Sequence, residues 1–83
     1  MTTTTKAQVF WDKQDPRNQG WWLRFYVDGQ ENGVDLPGSK NRKPQGLCKL
    51  ALELCAAEKV TFYEPNIAAP VFERTREGEE RWL

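Results

Sequence analysis

An α+β fold is predicted by three observations. One run of strand formers alternates between an apolar and a mixed face, one stretch has helical apolar spacing, and turn signals cut the remainder into short extended segments. The expected architecture is a three-stranded antiparallel sheet packed on one helix, completed by a short C-terminal strand and a hairpin. Residues 1–6 are polar, threonine-rich and too short to pack, so they are expected to be disordered. Residues 7–83 are expected to form a single small domain.

The first strand spans residues 7–13, with Val9, Trp11 and Lys13 on one side and Gln8, Phe10 and Asp12 on the other. Periodicity leaves open which set faces inward, but either Phe10 or Trp11 must stand on the outer face. Asp15, Pro16, Asn18 and Gly20 mark the following connection as a turn, able to bring Lys13 and Arg17 to the rim of the sheet. Residues 20–29 are the strongest strand in the chain. Trp21, Leu23, Phe25 and Val27 share one face, the core side, while Trp22, Arg24, Tyr26 and Asp28 share the other.

Asp28-Gly29 suits a two-residue type I′ turn, pairing Val27 with Gln30, Phe25 with Asn32, Leu23 with Val34 and Trp21 with Leu36. A wider loop from Asp28 to Gly33, pairing Val27 with Val34 and Phe25 with Leu36, keeps the same faces. In the tight register Glu31 lies opposite Tyr26 and Asp35 opposite Trp22, which sets acids on the mixed face. A helix is then predicted from near Asn41 or Lys43 to about Lys59, with Asn41 as cap and Pro44 tolerated in the first turn. Leu47, Cys48, Leu50, Ala51, Leu54 and Cys55 form its apolar face, expected to cross Trp21, Leu23, Phe25 and Val27, while Lys49 and Glu53 mark the exposed side.

Val60 to Glu64 reads as a short strand stopped by Pro65, and the apolar connector at 66–70 is expected to lie against the body. Residues 71–76 and 79–83 then suit a hairpin around Glu77-Gly78, with Phe72 opposite Leu83 and Arg76 opposite Glu79. Trp82 argues that this hairpin docks.

Composition narrows the chemistry. Twelve basic and twelve acidic side chains give zero formal net charge, hence no long-range field for a charged partner. The chain has no histidine and no CxxC pair, which rules out histidine acid-base or triad chemistry and leaves a structural zinc site without ligands. Cys48 and Cys55, seven apart on one predicted helix, would stand about 10 Å apart, beyond disulfide reach, and are expected to be reduced. No apolar run approaches a membrane span, and the first residues lack the apolar core of a signal peptide, so a cytoplasmic location is expected. No enzymatic activity, cofactor or metal is expected. The acids Asp12, Asp28, Glu31 and Asp35 fall where solvated edges and turns put them.

Two clusters are candidate sites. The first is the aromatic, cation, aromatic stripe of Trp22, Arg24 and Tyr26, able to stack a base or a partner's side chain. Its bland alternative is a second core, if the C-terminal hairpin with Phe72 and Trp82 folds over that face. The second is Lys40, Arg42 and Lys43, three cations before a helix N-terminus, an arrangement suited to phosphate. Its bland alternative is a solvated loop. Gly38 and Gly46 lack the following Lys-Ser/Thr of a nucleotide-hydrolysing loop.

The run from Gly20 to Gly29, then Leu36-Pro37-Gly38-Ser39-Lys40 and an Ala/Leu helix, resembles the three-strand-plus-helix DNA-binding domains of tyrosine-type phage integrases and the AP2 family. The resemblance covers about residues 7–59 and implies that Trp22, Arg24 and Tyr26 contact the major groove. A fainter similarity to double-stranded-RNA-binding domains implies a phosphate grip by Lys40, Arg42 and Lys43. Those families are usually basic, whereas this chain is neutral. The expected function is a small nucleic-acid-binding or nucleic-acid-associated accessory protein of bacterial or phage type, with DNA or RNA as partner. The alternative is a protein-interaction or inhibitor-like module, self-association included, that uses the same face.

Overall fold

The computed structural model describes residues 6–12, 19–38, 42–65 and 67–83. In chain order the elements are β1 (Lys6–Asp12), β2 (Gly20–Val27), β3 (Gln30–Leu36), α1 (Pro44–Leu54), β4 (Lys59–Phe62), β5 (Phe72–Thr75) and β6 (Glu80–Trp82). They build one mixed sheet of order β3-β2-β1-β4-β5-β6 with α1 on one face, against β4, β5 and β1. The α+β class holds. The sheet is larger than the expected three strands, because β4 joins the free edge of β1 in parallel and the C-terminal hairpin continues from β4 in the plane of the sheet. The expectations for residues 1–5, Lys13, Arg17, Lys40 and Asn41 lie outside the described residues, and Lys6 already belongs to β1.

The hairpin β2–β3 takes the tight register, with Val27 opposite Gln30 and Trp21 opposite Leu36. Asp28 at φ 55° and Gly29 at φ 77° form the two left-handed positions that a type I′ turn needs. In β1 the open choice of face resolves with Ala7 and Val9 buried, and Phe10 opposite Trp22 on the outer side. Trp11 goes inward, its ring edge-on to Trp21 at 5.2 Å, while Trp21 in turn meets Phe62 at 5.1 Å. The core is one cluster of Trp21, Leu23, Val9, Val60, Phe62 and Phe72 from the sheet with Leu47, Cys48 and Ala51 from the helix.

Helix α1 is shorter than its sequence pattern implies and is turned slightly differently. It ends at Leu54, and its buried residues are Leu47, Cys48, Ala51 and Leu52, while Leu54 is exposed. Lys43 occupies the N-cap without a side-chain cap bond, and Pro44 follows it at N1. The stop is explained by Arg76. Its guanidinium donates to the carbonyls of Leu52 (3.0 Å), Cys55 (2.7 Å) and Ala57 (2.9 Å), so a cation from the far hairpin satisfies the open end of a helix whose last turn has no basic residue. The helix lies mainly over β4, β5 and β1, so of the expected stripe on β2 Trp21 and Leu23 are buried in its core, while Phe25 is only half-buried and Val27 is exposed.

The C-terminal hairpin sits one residue out of the expected register, pairing Phe72 with Trp82 and Arg74 with Glu80. Gly78, at φ 99°, adds a left-handed residue to the turn, with Thr75 N–H donating to Glu79 O and Gly78 N–H to Thr75 O. That extra residue takes Arg76 out of the ladder and frees it to reach the helix. Trp82 stays largely exposed, its ring tilted against that of Phe72 with 4.8 Å between the ring centres. In the connector, residues 67–70 are exposed, contrary to the packed segment expected.

Cys48 is fully buried, and burial pushes its thiol up to about 12. The folded state therefore holds this proton at alkaline pH after the unfolded chain has released it, so stability falls as pH rises from about 9 towards about 12, by at most about 1.4 kcal/mol per pH unit. Urea unfolding midpoints measured across that range in wild type and Cys48→Ala test this. The expected result is a shallower alkaline decline in the variant, and parallel declines would contradict it.

Candidate recognition surface

The face of the sheet opposite α1 is built in rows, because residues paired across strands point to the same side. One row runs Asp35, Trp22, Phe10 across β3, β2 and β1; the next runs Gly33, Arg24, Gln8, Thr61, Glu73, Arg81. Tyr63 extends the aromatic row. It follows Phe62, the partner of Val9, and its N–H donates to Val9 O at 2.8 Å, which places it beside Phe10. Tyr26 stands one row away from Arg24, opposite Glu31 and half-exposed. The C-terminal hairpin continues the sheet sideways and does not fold over this face, so the second-core alternative is overturned.

Gly33 is what lets Trp22 lie flat. A β-carbon built at Gly33 would overlap the Trp22 indole, so the ring occupies the space that a side chain on β3 would need. A lone glycine inside a strand is the signature of such a close approach. Trp22 is half-buried as a result, less free than an isolated exposed tryptophan.

The guanidinium of Arg24 is engaged within the sheet. Its Nε donates to Gln8 Oε1 at 2.9 Å, one terminal nitrogen donates to the same oxygen, and the other lies 3.6 Å from Glu31. It also sits 5.4 Å from the centre of the Phe10 ring. Glu31 in addition accepts from the Tyr26 hydroxyl at 3.5 Å. The charge of Arg24 is thus largely met by its own neighbours, an effect that the tight β2–β3 register builds in by placing Glu31 on this face. Farther along, Glu73 bridges Lys59 (3.2 Å) and Arg81 (3.1 Å).

Beside the aromatic row runs an open groove of about 550 Å³ lined by Phe10, Trp11, Arg24, Tyr63, Glu64, Ile67 and Ala68. Tyr63, Glu64 and Ile67 were not foreseen as site residues. Their strand and connector were legible, but their position depends on β4 docking in parallel beside β1, which no local pattern announces.

The second candidate cluster lies elsewhere. Arg42 and Lys43, at the start of α1, line a separate groove with Trp21 and Phe62, both core-side residues. Arg42 donates to Pro37 O at 2.7 Å, and its stem lies against Gly38, so it serves to pin the β3–α1 connection. Lys43 is exposed. The structure therefore separates Trp22, Arg24 and Tyr26 from Arg42 and Lys43 onto opposite sides of the sheet, with Glu64 lining both grooves. Among the described residues no group of three or more His, Cys, Asp or Glu is placed to hold a metal, and no helix is long and apolar enough to cross a membrane. Searches against protein-family models, curated proteins and solved structures find no match to this chain.

Proposed function

We propose that the chain is a small protein-recognition module whose working surface is the sheet face carrying Phe10, Trp22, Arg24, Tyr26 and Tyr63. The observation that carries this reading is the ion pair of Arg24 with Glu31 and its hydrogen bonds to Gln8, amid aromatic side chains that no described element covers. A phosphate-reading face needs cations in excess, whereas a protein-binding one is aromatic at its centre with charged groups already paired. Zero net charge agrees with the second.

A nucleic-acid reading retains one specific support: Lys43 caps a helix whose first turn carries no acid, next to Arg42 and, in sequence, Lys40. Photocrosslinking separates the two readings. Benzoylphenylalanine in place of Tyr26 is expected to yield adducts in cells that protease destroys and nuclease spares. The same group at Lys49, on the exposed side of α1, should yield none, and Trp22→Ala should abolish the adducts at position 26. Nuclease-sensitive adducts at position 26 would transfer the function to nucleic acid, and equal labelling at both positions would remove the site.

A further inference from the structure

We infer that the open edge of β3 pairs with an extended segment carrying a cation two residues to either side of a central apolar residue. This names the chemistry of the partner and rests on the protein-recognition reading above. The two edges of the sheet differ. β6 is three residues long, a common way of blunting an edge, whereas β3 runs seven residues in unbroken register with β2, without proline, lysine or bulge. In a two-residue hairpin the closing pair, here Val27 and Gln30, is hydrogen-bonded, so by alternation Asn32, Val34 and Leu36 also turn their backbone groups to β2. Glu31, Gly33 and Asp35 turn theirs outward, where no described strand meets them. An extended chain offers donors and acceptors in that alternation, whereas a helix has already paired its own.

The side chains at the same three positions select what that chain carries. All three belong to the outer face, so the partner residue opposite each stands beside it there. Glu31 and Asp35 are exposed, β3 holds no cation, and the two acids lie about 13.6 Å apart along the strand. Arg24 and Tyr26 both lie on one oxygen of Glu31, whose side chain stays 59% exposed. Lys or Arg at positions i and i+4 of an extended segment meet both carboxylates at once. Between them Gly33 presents no side chain, and the Trp22 indole lies over it, so an apolar residue opposite Gly33 meets the edge of that ring. A second copy of the chain is disfavoured, because pairing β3 with itself about Gly33 sets Glu31 against Asp35 twice.

The test uses the full chain and a fluorescein-labelled peptide, TKVVTKT, followed by anisotropy. Saturable binding is expected, weakened at least about tenfold when both peptide lysines become glutamate. N-methylation of one alternate set of peptide amides should abolish binding, and methylation of the other set should spare it, since only one set faces the edge of β3. Glu31→Lys together with Asp35→Lys should transfer the preference to TEVVTET with the same alternation of sensitive amides, a gain that misfolding cannot imitate. Absence of saturation by about 1 mM peptide, equal affinity for the glutamate peptide, or equal tolerance of both methylated sets would overturn the inference. So would a wild-type dimer in sedimentation that the peptide fails to disperse, because the edge would then belong to a second copy. If crosslinks at position 26 to protein persist while the peptide fails, the recognition surface stands and only the edge pairing falls. If both fail, the surface itself is lost.

Discussion

Phe62→Ala is expected to cost about 3 to 5 kcal/mol of folding stability, the range for truncating a buried aromatic side chain. Phe62 is 2% exposed and meets the Trp21 ring, which in turn packs edge-on to Trp11. It stands on β4 opposite Val9 and Phe72, so its ring fills the joint where the N-terminal meander and the C-terminal hairpin share a sheet. A domain of this size is expected to have only about 4 to 12 kcal/mol in total. The variant should therefore lie at or near the edge of folding, with a large drop in urea midpoint. Val71→Ala, at a partly buried residue beside the same cluster, should cost far less. Equal losses in the two variants would mean that the β1–β4 joint is not where the sheet is held together.

Gly33→Val is the second large effect, and it acts on the candidate site. Valine is a better strand residue than glycine, so local propensity alone predicts stabilisation. The structure predicts the reverse, because the new side chain overlaps the Trp22 indole and must drive it off β3. The expected loss is about 1 to 3 kcal/mol, the usual range for forcing extra bulk into a packed position. A double-mutant cycle isolates the cause. With Trp22→Ala in the background the penalty should vanish or change sign, since nothing then occupies the space over position 33. A penalty that persists in that background would place its origin in the β3 backbone. The same displacement should weaken any partner that uses the aromatic row, which ties the stability measurement to the proposed function.

Much of the first half of the chain was legible locally. The alternation from Trp21 to Val27 assigned its two faces correctly, since a strand has only two sides and one of them here is almost wholly apolar. Asp28-Gly29 set a register in which Glu31 had to meet Tyr26, and the paired charges of the recognition surface follow from it. The candidate residues Trp22, Arg24 and Tyr26 do share one face. Arg42 and Lys43 do not join them, because proximity in sequence to a strand says nothing about which side of the sheet the following helix takes.

The second half was less legible because its structure is decided by long-range pairing. The helix end depends on Arg76, more than twenty residues downstream of Leu52, and the apolar run through Cys55 to Ala57 hides that stop. The hairpin register turned on a single left-handed glycine, which shifted every pair by one. What the amino-acid sequence determined by itself was the set of elements, the faces of β2 and the absence of histidine chemistry, since these follow from side-chain alternation, turn residues and composition. What only the tertiary structure decided was that β4 docks in parallel on β1, and with it that Tyr63 and Glu64 stand beside Phe10. Strand pairing of that kind is chosen by the burial of Val60 and Phe62 against α1 and Trp21, a property of the assembled core that no local stretch encodes.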